Sequence, residues 1–425
     1  MHVLGRVKTV VGAAALVCAL LPSVALAKPA PGYQPRGFRL FSTGSFRWIG
    51  NRTQCFMSSS GQVCTSESSV VGGGYWPAGT NNQYIFNTGL QVAGVVDPLS
   101  VGNSWKGDVT GAFFFNAAGG GDGQAVTDIY NSSNSADLAA WPSEAYVPSG
   151  TDLAAALYDP ALQGAKTASD NDLWLLAWEG DPSFAADRRH PLGLLVEIRG
   201  LAYNTPGKND FLFFIYTFYN VTATGSSAVY NNVPARIRSQ VQAAGTRFQS
   251  LNVAAGATLP ADGYTIKDMF LALGADMDVT FEESGQNYDG VNVPFSLGYT
   301  YHKSFLAPAS WTFDPTIYKP PFFAGAGFIG IKYLRSPLVN GQEVGLSLFG
   351  ATTNQGQFSD PGNTDALYRY LTGNVDATKG DDLCNVGDVH LTKICFINQA
   401  GPQDMRFFQS SGPLTLAAGE YSSVA

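Results

Sequence analysis

The sequence has 425 residues, of which 45% are hydrophobic, and a formal net charge of −8. Its 25 Lys and Arg residues are scattered along the chain, which argues against a nucleic-acid partner because phosphate binding needs a basic face. Only 14% of the residues are charged, whereas 48 are Gly and 12% are aromatic, a composition typical of exported β-proteins with frequent turns and ring-rich strands.

Residues 1–27 have the three parts of a secretory signal peptide. Arg6 and Lys8 precede an apolar run at 10–21, and Ala-Leu-Ala at 25–27 is a small-residue cleavage site. The run is too short to span a bilayer, and no later stretch offers the roughly 20 apolar residues of a membrane helix. The sequence therefore predicts a protein that is secreted or displayed at the cell surface, without a transmembrane segment after signal cleavage.

Removal of the signal leaves four cysteines in two close pairs, Cys55 with Cys64 and Cys384 with Cys395. Four cysteines allow three connectivities, and an exported chain favours disulfides between the nearest neighbours. Zinc binding is the competing interpretation, but neither pair has the Cys-x-x-Cys spacing of a zinc knuckle. The sequence predicts two disulfides, each closing one short loop.

Two regions of β-structure are predicted after the signal peptide. Residues 28–150 form a Gly- and aromatic-rich β region with short strands separated by turns, and residues 151–425 form the main β-sandwich region. Asp-Leu-Ala patterns at 135–145 and 151–162 allow short helices. The predicted fold is all-β, a large antiparallel β-sandwich-type assembly with short helical ornaments. The final stretch, 412–425, contains no closing element, so we expect a chain truncated at its C-terminus.

The main region is organised around residues 209–222, where aromatic and β-branched residues dominate. Such a stretch is typical of a strand buried on both faces. Residues 194–200 are its natural antiparallel partner, with Asn-Thr-Pro-Gly at 204–207 supplying the turn. We predict a central hairpin whose core residues are Leu195, Phe213, Ile215 and Phe218.

Carboxylates and amide oxygens are denser between residues 276 and 290 than elsewhere in the chain. Calcium takes six to eight oxygen ligands, so Asp276, Asp278 and Asp289 are predicted as its ligands. The spacing is not that of an EF-hand, and a solvated acidic loop without an ion is the alternative. Calcium is the one cofactor that the sequence suggests.

No catalytic motif accompanies these strands. The sequence lacks a Gly-x-Ser-x-Gly elbow, and the Gly-x-Gly-x-x-Gly string at 325–330 is followed by β-forming residues instead of the helix that a dinucleotide site needs. Glu197 and Asp276 are weak candidates for the carboxylate pair of a glycoside hydrolase, with Asp278 as an alternative to Asp276. The sequence favours a structural or binding role over catalysis, and the alternative is a secreted glycan-active hydrolase. Expected partners are glycans or other surface proteins.

Several strings resemble a family of secreted β-rich proteins of environmental bacteria, and the likeness to this family extends over most of the mature chain. They are GGGYWP at 72–77, YIFNTGLQVAG at 84–94, HPLG at 190–193, FIYTFYNVT at 214–222, DMDV at 276–279 and FFQSSGP at 407–413. The family has no assigned activity, so the resemblance transfers no catalytic residue. It implies further β-sequence after the SGPLTL string at 411–416, and longer members look like surface or secreted proteins with Ig-like appendages.

Overall fold

The computed structural model describes residues 45–66, 72–96, 109–114, 123–184, 190–304, 311, 325–353, 360–361, 363–381, 384, 388–396 and 401–425. The predicted signal peptide and its cleavage site lie outside these ranges. The strands are β1 Ser45–Ile49, β2 Gln54–Ser58, β3 Gln62–Val63, β4 Gly74–Tyr75, β5 Gln83–Ile85, β6 Asn87–Val96, β7 Val109–Phe113, β8 Gln124–Ala125, β9 Tyr130–Asn131, β10 Asn171–Glu179, β11 Leu194–Ala202, β12 Leu212–Asn220, β13 Ile266–Asp276, β14 Asn287–Asn292, β15 Leu297–His302, β16 Phe328–Lys332, β17 Leu338–Val339, β18 Gln342–Glu343, β19 Leu348–Thr353, β20 Ile394–Phe396, β21 Met405–Leu416 and β22 Tyr421–Val424.

Helices connect the strands in the same part of the chain. The α-helices are α1 Ser135–Ala139, α2 Arg238–Ala254, α3 Thr364–Thr372 and α4 Val389–Thr392. Short 3-10 helices span Ser143–Ala145, Leu153–Leu157, Pro160–Leu162, Pro182–Phe184, Ala228–Asn232, Phe281–Gln286, Val293–Phe295 and Ala377–Lys379. Within these ranges, no helix combines the length and apolar character needed to cross a bilayer.

Sheet 1 contains the predicted central hairpin. Its order is β22-β12-β11-β10-β8, with β9 also pairing with β10. The hairpin pairs β11 with β12 from Leu194 opposite Asn220 to Ala202 opposite Leu212. Every residue of β10 and β11 is buried, as the continuous apolar runs of these strands predict.

Sheet 2 has the order β20-β19-β21-β13-β6-β3, with β7 also on β6. Its described pairs are antiparallel except for β19 with β20, which run parallel. Sheets 1 and 2 contribute to the same hydrophobic core, which includes Leu195 and Trp178 from sheet 1 and Val92, Leu271 and Phe407 from sheet 2. Strand β6, from the region predicted at 28–150, pairs with β13, so the sheets cross that boundary. The all-β prediction with helical ornaments is confirmed.

Three of the four predicted core residues are buried, and Phe213 is not. Leu195, Ile215 and Phe218 are 5% exposed or less, whereas Phe213 is only half-buried. The reason is that β22 pairs with β12 only from Tyr216 to Tyr219, and no other described strand covers the outer edge at the beginning of β12. Phe213 packs instead against a small separate cluster that includes Leu201 and Ile215.

Both predicted disulfides are present. Cys55 in β2 bonds to Cys64 after β3, with their Cα atoms 4.5 Å apart, and Cys384 bonds to Cys395 in β20. Cys395 is buried in a second core cluster with Leu367 of α3. The bridges therefore join β-structure to the loops beside it.

Replacing both Cys55 and Cys64 by alanine is expected to lower the free energy of unfolding by about 2–3 kcal/mol. The bridge joins two residues with a sequence separation of 9. Its removal restores conformational entropy to the unfolded chain, which lowers the free energy of unfolding by this amount. Urea denaturation of the variant beside the reduced and oxidised wild type measures the difference. An unchanged midpoint in the variant would contradict the prediction.

Candidate metal centre

Three carboxylates converge where the end of β13 meets the beginning of β21. Asp276 is the last residue of β13, Asp278 follows two residues later, and Asp404 immediately precedes β21. One oxygen from each lies within 4.8 Å of the other two. Asp276 and Asp278 are 1% and 5% exposed. The structure thus brings together two of the three predicted metal ligands and adds Asp404, which the sequence analysis missed.

Strand pairing explains why these residues meet. Asp276 is opposite Arg406 in the antiparallel pair β13–β21, so the residue two after Asp276 faces the residue two before Arg406. Those residues are Asp278 and Asp404. Carboxylates that face each other across a strand pair repel, so this arrangement is unfavourable unless a positive charge lies between them.

Arg406 is a positively charged residue that lies beside the three carboxylates. Its Nε is 3.0 Å from Asp276 Oδ2, and its two terminal nitrogens are 3.5 Å from Asp360 Oδ2 and 3.9 Å from Asp404 Oδ1. The guanidinium of Arg406 is therefore shared by three carboxylates. No ion pair within the described ranges includes Asp278. The cluster carries an excess of negative charge.

Asp289, the third predicted ligand, lies on β14 beside the cluster. Strand β14 begins next to the acidic residues because Asn287 and Gln403 exchange backbone hydrogen bonds, of 3.1 and 3.0 Å. Asp289 is two residues further along, on the same buried side of β14 as Asn287. The Thr300 hydroxyl donates a hydrogen bond to Asp289 Oδ1. Asp289 therefore adds a third buried carboxyl to this region, beside Asp276 and Asp278, on a separate strand.

Several buried oxygens at the cluster accept no hydrogen bond within the described part of the chain. Carboxylate oxygens of this kind are Asp276 Oδ1, Asp278 Oδ1 and Asp289 Oδ2, and amide oxygens are Asn87 Oδ1 and Asn287 Oδ1. Asn87 is opposite Asp276 in the pair β6–β13. A buried acceptor without a partner costs about 1–3 kcal/mol, and such groups in native proteins call for an explanation such as a bound ion.

The same environment disfavours ionisation. Burial, followed by the charges of Asp276 and Asp404, raises the pKa of Asp278 to about 9. Burial raises the pKa of Asp276 to about 7 even though Arg406 acts in the opposite direction, and burial also raises the pKa of Asp289 to about 7. Without a further cation, the native state at neutral pH holds protons on carboxyls that are ordinarily ionised.

Glu197, the other candidate catalytic residue, lies in the middle of β11. Arg236 binds it with both terminal nitrogens, at 2.8 Å to Oε1 and 2.9 Å to Oε2. Trp174 Nε1 donates to Oε1 at 2.9 Å and the Tyr219 hydroxyl to Oε2 at 3.1 Å. Burial opposes ionisation, but Arg236 outweighs it and the pKa of Glu197 lies below its ordinary value. These contacts are those of a structural ion pair, since the carboxylate is already engaged by four donors.

The comparisons with known proteins return nothing that bears on this site. No protein-family model matches the sequence, no curated protein matches it, and no solved structure matches its fold.

Proposed function

We propose that the protein is a secreted or cell-surface β-protein with a structural or binding role, and that it holds a calcium ion between Asp276, Asp278 and Asp404. The observation that carries the proposal is the convergence of three carboxylates beside Arg406, since Asp276 and Asp278 are buried and each has an oxygen that accepts no hydrogen bond from the described residues. The two disulfides and the resemblance to a secreted β-rich family support the exported location.

The ligand chemistry favours calcium over other ions. All the converging groups offer oxygen, and no His or Cys belongs to the cluster within the described ranges, whereas zinc and copper sites usually include such residues. Calcium accepts six to eight oxygens in a flexible geometry, which suits carboxylates from separated strands together with the free amide oxygens of Asn87 and Asn287. Magnesium demands near-octahedral geometry and usually retains several waters.

The proposed role of the ion is to join segments that are distant in sequence. Asp276 and Asp278 follow one strand of sheet 2, Asp404 precedes the neighbouring strand, and β14 begins beside them. An ion that binds only the native arrangement adds RT ln(1 + [L]/Kd) to its stability, about 2.7 kcal/mol at a hundred times the dissociation constant.

Melting curves and calorimetry test the proposal. Millimolar calcium is expected to raise the melting temperature relative to chelator, and titration calorimetry is expected to show binding. Asp278→Asn should abolish both effects, because it removes one of the converging carboxylates. The matched control is Asp365→Asn, at an exposed position in the first turn of α3, which should respond to calcium like the wild type. Identical wild-type curves in calcium and chelator, without binding heat, would disprove the calcium site.

A further inference from the structure

A second feature lies on the other side of β14, in a three-stranded sheet that we call sheet 3. Its order is β14-β15-β16, and its strands are antiparallel. Burial alternates along β14 and β15. The inner face, which includes Asp289 and Thr300, is buried, and a Cβ at Gly298 would touch Phe349 and Phe407 of sheet 2. The outer face is turned away from that core.

The outer face of sheet 3 consists of three rows of residues in register. The rows are Tyr288, Tyr301 and Phe328; Gly290, Tyr299 and Gly330; and Asn292, Leu297 and Lys332. None of these nine residues is buried, and Phe328 is 60% exposed. The face thus presents four aromatic rings on adjacent strands, a concentration that scattered surface residues do not produce.

The four aromatic rings of this face lie against one another and form a platform. Tyr288 and Tyr301 are stacked, with ring centroids 5.6 Å apart and planes inclined by 26°, and Phe328 is 5.2 Å from Tyr301. The Tyr299 ring lies across Gly290, because a Cβ at that glycine would be 2.4 Å from Tyr299 Cζ. Gly290 does not have a positive φ, so its backbone does not require glycine. The missing side chain instead makes room for a ring lying against the sheet.

The one charged residue of the three rows is a lysine. Lys332 closes the last row at one end of the face, and Lys303 lies in the turn directly after β15. Both lysines are exposed, and the nine positions of the three rows include no Asp or Glu. Glu283, which precedes β14, is directed at His302, with 2.9 Å between Oε2 and Nε2. A chain of net charge −8 therefore displays a cationic aromatic face.

We propose that the outer face of sheet 3 binds an acidic polysaccharide, one whose sugar rings carry uronate carboxylates. The C–H bonds on one face of a pyranose carry partial positive charge and are attracted to the negative face of an aromatic ring, and the tyrosine hydroxyls can hydrogen-bond the sugar hydroxyls at the ring edges. The lysines supply complementary charge for the carboxylates. This inference deepens the binding role proposed above by naming its ligand, and the calcium ion, on the opposite face of β14, need not touch the glycan.

Binding of a short hyaluronate oligosaccharide to the full chain, measured by titration calorimetry in calcium, tests the platform. We expect Tyr299→Ala and Tyr301→Ala each to weaken binding by about tenfold. The double variant Lys303→Gln/Lys332→Gln should bind the oligosaccharide several-fold more weakly, and its affinity should depend less on the salt concentration. The matched control is Phe211→Ala, which removes a ring that is 57% exposed beside β12 and should leave the affinity unchanged.

Three binding results would overturn the proposal. They are the absence of binding by the wild type, equal affinity of the tyrosine variants and the wild type, and equal affinity of the wild type for a neutral cellulose oligosaccharide. A change of oligomeric state in Tyr299→Ala would also overturn it, by showing that a second copy occupies the face. The calcium-dependent rise in melting temperature, retained in the tyrosine variants and lost in Asp278→Asn, separates a failure of the platform from a failure of the metal centre.

Discussion

Replacing Arg236 by methionine is expected to lower the free energy of unfolding by about 3–5 kcal/mol. Glu197 is 5% exposed, and Arg236 is its cationic partner, so the substitution leaves a buried charge without compensation. The hydrogen bonds from Trp174 and Tyr219 remain, but they cannot replace a full positive charge. Arg236 also holds Asp152 at 2.9 Å, so a second carboxylate loses its partner.

Urea denaturation measures the effect, and two further variants make it specific. Glu197→Gln combined with Arg236→Met should recover part of the loss, since it removes the uncompensated charge. Arg335→Met breaks the ion pair with Glu343, whose two side chains are 46% and 40% exposed. Because the pair is exposed, this substitution should lower the free energy of unfolding by no more than about 1 kcal/mol. A loss in Arg236→Met as small as that in Arg335→Met would refute the structural role of the buried pair.

In chelator, the protein is expected to lose stability as the pH rises from about 4 towards 9. The unfolded chain releases its aspartate protons near pH 4, whereas the pKa is about 7 for Asp276 and Asp289 and about 9 for Asp278 in the native state. Between these values the native state binds more protons than the unfolded state, so stability falls with increasing pH. Each pH unit in this window costs up to about 1.4 kcal/mol for each carboxyl that is still protonated.

Calcium should remove this slope, because the ion stabilises the ionised carboxylates of the native state. Asp278→Asn provides the reciprocal check: it should be more stable than the wild type in chelator near pH 8 and less stable in millimolar calcium. Denaturation curves at several pH values, with and without the ion, reveal both effects. Equal slopes with and without calcium would show that the acidic cluster does not bind it.

Local patterns predicted much of the fold, because the residues of a strand themselves indicate whether the strand is buried. The continuous apolar run of β12 and the nearest-neighbour cysteines needed no knowledge of the rest of the chain. Helix α2 was missed, because its sequence is largely polar. Its buried residues Val241, Ala244 and Phe248 follow helical spacing, which is the signal that could have revealed it.

The sites were predicted only in part because they are assembled by strand pairing. Asp276 and Asp278 are close in sequence, but Asp404 joins them through the register of β13 with β21, which no local pattern encodes. Glu197 was a weak catalytic candidate from its sequence, which does not reveal the partner that the fold places against it, Arg236. The outer face of sheet 3 likewise depends on the register that aligns Tyr299 with its two flanking glycines.

The position of β21 has a consequence for the order in which the protein folds. This strand, Met405–Leu416, lies between β13 and β19 in the middle of sheet 2, although it comes after both in the chain. Until it has been synthesised, β13 and β19 each expose an unpaired edge, and the acidic cluster lacks Asp404 and Arg406. Pairings between such distant segments form slowly, and unpaired edges favour aggregation. We therefore expect the incomplete chain to depend on chaperones for as long as sheet 2 lacks β21.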